Sequence, residues 1–283
     1  MKVVLFCGGT GLRLRGYEDD VPKPMVQLGT RPILWHLMKY YAHFGHKDFI
    51  LCLGYKSNSI KDYFLHYDES VSNDFVWSKG GKSVELLNRD IEDWTITFVE
   101  TGANANIGQR LKAIEPYVQG EEIFLANYGD GLSDVPLPAM LDTFKASNAV
   151  ASLLLVQPTA SFDIVYANSE GTVKGIRPIN GTDIWINGGF FAMRNEIFSY
   201  IQPGEELVRE PFQRLIDKQA LLGHKYNGFW QCMDTFKDKQ HLEELNHGAA
   251  PWKVWNHTAS SPVDSATQPV EQRKEQTLVS ALL

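Results

Sequence analysis

Cysteine is scarce in this chain. Its three residues, Cys7, Cys52 and Cys232, stand singly and far apart among 283. That spacing excludes a disulfide framework and the paired thiols of a zinc site, and it suits small core hydrophobes in a reducing compartment. Long apolar runs are missing as well: none approaches the roughly 20 residues that span a bilayer. Leu5-Phe6-Cys7-Gly8 imitates a lipoprotein cleavage box, but the run before it is shorter than the roughly 7–15 residues of a signal h-region. A soluble, cytoplasmic protein is expected. Positive charge is also in deficit, with 27 Lys and Arg against 34 Asp and Glu, a formal net charge of −7. That balance argues against a nucleic-acid partner, although a local cluster of cations can still serve a small anion. No internal repeat is visible.

What is present is concentrated at the start. The β-rich run Val3–Phe6 leads into Gly8-Gly9-Thr10-Gly11-Leu12-Arg13, and Pro22-Lys23-Pro24 follows closely. Glycines let backbone N–H groups turn inward towards phosphate oxygens. Arg13 and Lys23 add the charge a triphosphate requires. Two familiar glycine motifs do not fit. The dinucleotide fingerprint needs a third glycine where Leu14 stands, and the P-loop needs Gly-Lys-Ser/Thr at the end of its loop, which this loop lacks. A plain strand-to-helix turn is the alternative for the glycines, and a solvated loop cation the alternative for Arg13.

Strand and helix signals then alternate. Pro32 to Phe44 has helical spacing and ends at Gly45, Phe49–Leu53 reads as a buried strand, and Ser57 stands as a cap for a helix carrying Ile60, Tyr63 and Phe64. Thr95–Val99 and Ile123–Ala126 are further strands, flanking a helical pattern from Leu111 to Tyr117. The alternation predicts an α/β fold with a doubly wound, mainly parallel sheet. Two stretches depart from it. Asp68 to Trp94 reads as an excursion or hairpin. Residues 161–191 read as a β-rich sublobe with Asn180-Gly181 as a turn. Helical patterns return at Leu207–Leu222 and Thr235–Leu245. The organisation expected is one domain over 1–257 and a flexible tail over 258–283.

Asp130 lies in Asn127-Tyr-Gly-Asp-Gly, after an apolar strand, and Asp234 in Gln231-Cys-Met-Asp-Thr, after Phe229-Trp230. Each alone can stabilise a turn. Taken with the phosphate loop, the pair suits one Mg²⁺, which prefers one or two carboxylates plus phosphate oxygens and water.

These pieces together resemble the sugar-phosphate nucleotidyltransferases, and within them the glucose-1-phosphate cytidylyltransferases. The matching segments include Gly8 to Leu14, Pro22-Lys-Pro-Met-Val26, Arg31-Pro-Ile-Leu-Trp-His36, Gly108-Gln-Arg-Leu-Lys112, Tyr128-Gly-Asp-Gly131, Ile186-Asn-Gly-Gly-Phe-Phe191, Gly228-Phe-Trp-Gln231, Met233-Asp-Thr235 and Ala250-Pro-Trp-Lys253. They run in the family's order to about residue 257. The resemblance implies that a sugar 1-phosphate oxygen attacks the α-phosphorus of a nucleoside triphosphate and pyrophosphate leaves. It implies backbone contacts to the nucleotide from Gly8, Gly9 and Gly11, with Gly108 and Arg110 close to it. Arg13 would hold the departing phosphates and Lys23 the charge at the α-phosphate. Asp130 and Asp234 would carry Mg²⁺, and Asn187 would reach sugar hydroxyls. CTP and glucose 1-phosphate are the implied substrates, for deoxysugars of surface polysaccharide, and a homo-oligomer the implied assembly.

One departure stands out. Where the family carries a lysine in Glu-Lys-Pro for the sugar phosphate, this chain has Ile176-Arg177-Pro178. Arg177 keeps the charge but exchanges a compact ammonium for a planar fork. Nucleotidyl transfer is therefore better supported than glucose as acceptor. UTP or dTTP with another sugar phosphate is the alternative within the class. A nucleotide-sugar-binding paralogue that senses rather than catalyses is the alternative outside it. Trp35 and His36 read as core and subunit contact, and the aromatics at 229–230 as core.

Overall fold

A computed structural model describes residues 1–9, 21–158, 163–179 and 182–256. Gly11, Arg13, the Asn180-Gly181 turn and the tail over 258–283 lie outside the described residues. In chain order the strands begin with β1 (Lys2–Phe6), the short pair β2 (Gln27–Leu28) and β3 (Arg31–Pro32), and β4 (Asp48–Leu53). Next come β5 (Phe75–Ser78), β6 (Ser83–Leu86), β7 (Thr95–Glu100), β8 (Ile123–Asn127), β9 (Gly131–Ser133) and β10 (Ala151–Val156). The last five are β11 (Asp163–Ala167), β12 (Val173–Pro178), β13 (Ile186–Arg194), β14 (Leu221–Tyr226) and β15 (Trp230–Cys232). The helices are α1 (Ile33–His43), α2 (Ser57–Leu65), α3 (Ile107–Ala113), α4 (Leu137–Lys145), α5 (Glu210–Asp217) and α6 (Phe236–Asn246).

Seven strands form the main sheet in the order β14-β10-β13-β8-β1-β4-β7. All its pairings are parallel except those of β13, which runs antiparallel to both β10 and β8. Side chains alternate across a strand, so successive residues of β1 enter different cores. Val3 and Leu5 join one core with residues of α1, α4 and α6, while Val4 and Phe6 join the other with Leu111 of α3 and Phe212 and Leu215 of α5. Helices on both faces bear out the doubly wound, mainly parallel reading. The helix α1 is buried nearly all round, His36 included, because it shares a core with the sheet on one side while Trp252 packs on His36 and Trp255 on Trp35.

Residues 68–94 are the expected excursion: β5 and β6 pair as an antiparallel hairpin turning at Gly80 and Gly81, both at positive φ. Arg31, only 3% exposed, anchors the base of this excursion, donating to Ser72 Oγ and the Asp68 carbonyl while its guanidinium lies 4.2 Å over the Tyr67 ring. Two expectations fail. Ser57 is the first helical residue of α2 and makes no side-chain cap; Lys56, at φ +50°, precedes it. The helix expected over Leu207–Leu222 stops at Asp217, and Leu221–Tyr226 is instead the edge strand β14, parallel to β10. Gly223 allows this, since a Cβ there would lie 2.4 Å from Leu155 Cδ1.

Candidate active site

Ligands of open α/β sheets bind beyond the carboxyl ends of the strands. Here β1 ends at Phe6 and delivers Cys7, Gly8 and Gly9 to that edge, and β8 delivers Tyr128, Gly129 and Asp130 beside them. Gly129 sits at φ +83°, with its N–H donating to Asn127 Oδ1, and a Cβ on it would press to 3.0 Å from the Phe6 carbonyl. The chain therefore turns sharply enough after β8 to bring Asp130 back over the sheet end.

Asp234 reaches the same place from a distant part of the chain. The short strands β9 and β15 pair antiparallel with Gly131 opposite Cys232, and Met233 N–H donates to the Asp130 carbonyl at 2.9 Å. That register sets the residues after β15 beside those before β9. Asp234 is then held at the entrance of α6, where Asp238 accepts from the Asp234 and Thr235 N–H groups in a capping box.

Lys23 joins the two. A turn over Lys23–Met25, opened by Pro22 and carrying Pro24 and Met25 buried, fixes its backbone. Its ammonium donates to Asp130 Oδ2 at 2.6 Å and to Asp234 Oδ1 at 2.5 Å, with the side chain 14% exposed. Burial would lower its pKa, but the two carboxylates outweigh that and hold it above the usual lysine value. Three residues singled out from sequence thus form one cluster. The ammonium is itself a cation seated between two hard oxygen donors, so the donor set fits a small divalent ion. Among the described residues no group of three or more His, Cys, Asp or Glu could hold a metal, so protein ligands alone form no full cage.

Arg110 is neither an exposed helix residue nor open to solvent. It is 2% exposed, and its guanidinium donates to the Gly8 carbonyl at 2.9 Å, the Leu53 carbonyl at 3.1 Å and Thr101 Oγ1 at 2.7 Å. It ties together the carboxyl ends of β1, β4 and β7. Gly8 must lack a side chain to admit it, since a Cβ would lie 2.0 Å from Arg110 Nη1. Gly108 is glycine for another close approach, with a Cβ there 2.2 Å from the Glu205 carbonyl. Among the described residues none, its chain neighbours aside, lies within 4 Å of where a Cβ on Gly9 would stand.

The sugar half is assembled differently. Asn187 Nδ2 donates to Tyr128 Oη at 2.8 Å and Asn187 Oδ1 accepts from Gly189 N–H at 2.9 Å, so both ends of its amide are engaged within the site wall. Arg177 lies on the exposed ribbon β11–β12, where its Nε donates to Tyr166 Oη at 2.7 Å and its guanidinium stacks 4.9 Å over that ring. No hydrogen bond or ion pair joins it to the Lys23 cluster among the described residues. Two groups were missed from sequence. Asp134 accepts from Tyr226 Oη at 2.5 Å and Phe229 N–H at 2.8 Å, pinning the β14–β15 connection. Trp230 Nε1 donates to the Gly188 carbonyl, and Trp230 lines a cavity of about 310 Å³ together with Val156, Gln157, Tyr226, Asn227 and Gly228 among others. The aromatic pair Phe229-Trp230 was the only signal for that wall. Phe229 itself packs on Trp252, as a core residue.

Comparison with known proteins places the chain in a family. The chain is 38% identical over 258 residues to glucose-1-phosphate cytidylyltransferase of Salmonella typhimurium, covering 90% of this chain and all of that protein. It is 35% identical, with the same coverage, to a Bacillus subtilis protein named probable glucose-1-phosphate cytidylyltransferase. A UTP-bound UGPase from Acinetobacter baumannii superposes with a TM-score of 0.63 at 18% identity, covering 86% of this chain and 92% of that one, which shows the shared fold. The nucleotidyl transferase pattern matches residues 2–231, and with that span, these relatives and the strand-end cluster of Lys23, Asp130 and Asp234, the chain belongs to the nucleotidyl transferase family.

Proposed function

We propose that this enzyme transfers a cytidylyl group from CTP to glucose 1-phosphate, giving CDP-glucose and pyrophosphate. The observation that carries the chemistry is the Lys23 ammonium held between Asp130 and Asp234 at the sheet's carboxyl edge. The choice of CTP and glucose 1-phosphate rests on the similarity to the cytidylyltransferases over 90% of the chain. The nucleophile is already an anion, so the site has no proton to remove. Its work is to align two anions and to neutralise the charge that gathers at the α-phosphate.

In this reading Gly8 and Gly9 bring backbone to the triphosphate, with Gly11 and Arg13 completing the loop. Arg110 backs that loop from beneath, and Gly108 lets α3 come close enough for it to do so. Lys23 meets the α-phosphate. Family members typically use a divalent metal; Asp130 and Asp234 would hold Mg²⁺, which supplies Lewis-acid neutralisation of phosphate oxygens. Arg177 would take the acceptor phosphate by moving with its ribbon, and Asn187 would orient Tyr128 at the acceptor wall. The protein would act in the cytoplasm as a homo-oligomer. The exposed apolar residues Phe75, Val76, Trp77, Val84 and Leu87 on the β5–β6 hairpin favour such an assembly.

The test is pyrophosphate release by the purified protein with Mg²⁺, across CTP, UTP, dTTP, ATP and GTP against a panel of sugar 1-phosphates. A dominant signal from CTP with glucose 1-phosphate is expected. A different dominant pair would reassign the substrates, and silence with nucleotide binding intact would favour a sensing paralogue.

A further inference from the structure

We infer that Lys23 is a displaceable occupant of the cation site: its ammonium fills the place between Asp130 and Asp234 and keeps a divalent ion out until a polyphosphate draws the lysine away. This rests on the reading of the two aspartates as metal ligands, and it assigns Lys23 a second task beyond contact with phosphate.

The argument is one of shared atoms. The ammonium already uses Asp130 Oδ2 and Asp234 Oδ1, at 2.6 and 2.5 Å. A Mg²⁺ or Mn²⁺ ion binds carboxylate oxygens at about 2.0–2.2 Å and would need the same gap between them. Both cations there at once would set like charges within a few ångströms in a half-buried site, which is strongly unfavourable. The occupancies are therefore exclusive. The backbone of Lys23 is fixed, with Pro22 and Pro24 on either side and Met25 N–H donating to the Pro22 carbonyl at 2.8 Å. Only the side-chain torsions are free to respond, so the exchange is a swing of one flexible stem rather than a movement of the site.

Two consequences follow. Without nucleotide the lysine neutralises one of two adjacent carboxylates, which otherwise repel each other. With nucleotide, the phosphates compete for the ammonium and uncover both carboxylates together. Binding of the polyphosphate and of the cation are then coupled, and by linkage each strengthens the other.

The experiment measures Mn²⁺ alone, without nucleotide, by electron paramagnetic resonance titration of free ion. The proteins are the full-length wild type, Lys23→Gln, Lys23→Met and Lys23→Gln/Asp234→Asn. Both single variants are expected to bind Mn²⁺ at least tenfold more tightly than wild type, and the double variant to lose that gain. Thermal unfolding with and without Mn²⁺ gives a second readout, since an ion bound only by the folded state raises the midpoint with its affinity. The ion should stabilise Lys23→Gln more than wild type, even if the variant starts lower. Equal or weaker Mn²⁺ binding by both single variants overturns the inference. If Asp234→Asn still weakens binding in that case, the two-aspartate site stands and only the role of Lys23 falls. If no protein binds Mn²⁺ and wild-type turnover survives a chelator, the metal reading falls with it.

Discussion

Adding a single methyl group at Gly8 would test whether the loop after β1 is held by Arg110. In Gly8→Ala the new Cβ would lie 2.0 Å from Arg110 Nη1, 2.3 Å from Cζ and 2.6 Å from Nη2, so the guanidinium must leave its seat. It would give up its bonds to the Gly8 carbonyl, the Leu53 carbonyl and Thr101 Oγ1. Bonds to a charged donor contribute about 1.5–3 kcal/mol each. The loss is softened because the Gly8 carbonyl keeps Tyr55 N–H and the Leu53 carbonyl keeps Thr101 N–H and Oγ1. The displaced guanidinium also regains water. A net cost of about 3 kcal/mol follows, or a fall in melting temperature of roughly 5 °C for a chain of this size. Arg110→Ala loses the same bonds and should cost a similar amount. The sharper statement concerns the pair. With the guanidinium gone the three nearest atoms in the way of the methyl at position 8 are gone too, so Gly8→Ala/Arg110→Ala should cost about 3 kcal/mol rather than 6, a large coupling for a double-mutant cycle. Denaturant unfolding followed by tryptophan fluorescence measures all four proteins. Additive losses, or a Gly8→Ala protein within about 0.5 kcal/mol of wild type, would refute the account of why position 8 is glycine.

Asp234→Asn should reduce metal-dependent turnover by about a hundredfold or more while the far-ultraviolet circular dichroism spectrum stays unchanged, because the residue sits at a helix entrance and not in the core; near-normal turnover would remove it from the site. Arg177→Ala should raise the KM for the sugar phosphate at least tenfold and leave the nucleotide KM within a factor of two, as read by steady-state kinetics; an effect on the nucleotide instead would show the ribbon assigned to the wrong substrate. His36 is neutral in the fold, accepting from Trp252 Nε1 at Nδ1 and donating from Nε2 to the Leu28 carbonyl, and burial lowers its pKa from 6.5 to about 4. The unfolded chain therefore binds the extra proton first, so stability is complete above pH 6.5 and declines as pH falls towards 4, by up to about 3 kcal/mol. His46, also lowered to about 4 by burial, acts in the same sense. The measurement is thus the difference between wild type and His36→Gln across that range, and parallel curves would count against the assignment.

The alternation of apolar runs and helical patterns was enough to specify the doubly wound sheet, because period-2 and period-3.6 burial is a local property of the chain. It misled over Leu207–Leu222. Leu221-Leu222 continue an apolar pattern, but parallel pairing with β10 makes them an edge strand, and Gly223 leaves the room that Leu155 of the neighbouring strand fills. Arg110 shows a second limit. The resemblance sets it close to the nucleotide but does not show that the ends of three strands meet where its side chain falls, where two backbone carbonyls and the Thr101 hydroxyl make burial of the charge acceptable. Arg177 shows a third, since its place in the divergent triplet Ile176-Arg177-Pro178 does not say where an exposed ribbon holds it. Local sequence was enough to single out the candidates for the chemistry: the glycine loop, Lys23 between its prolines, and two aspartates each placed just after a strand. Their meeting was decided by tertiary structure alone. The β9–β15 register sets Asp234 beside Asp130, and one lysine from the Lys23–Met25 turn closes the cluster. Strand pairing is a long-range choice, settled by the total packing and hydrogen bonding of the folded chain rather than by any local segment.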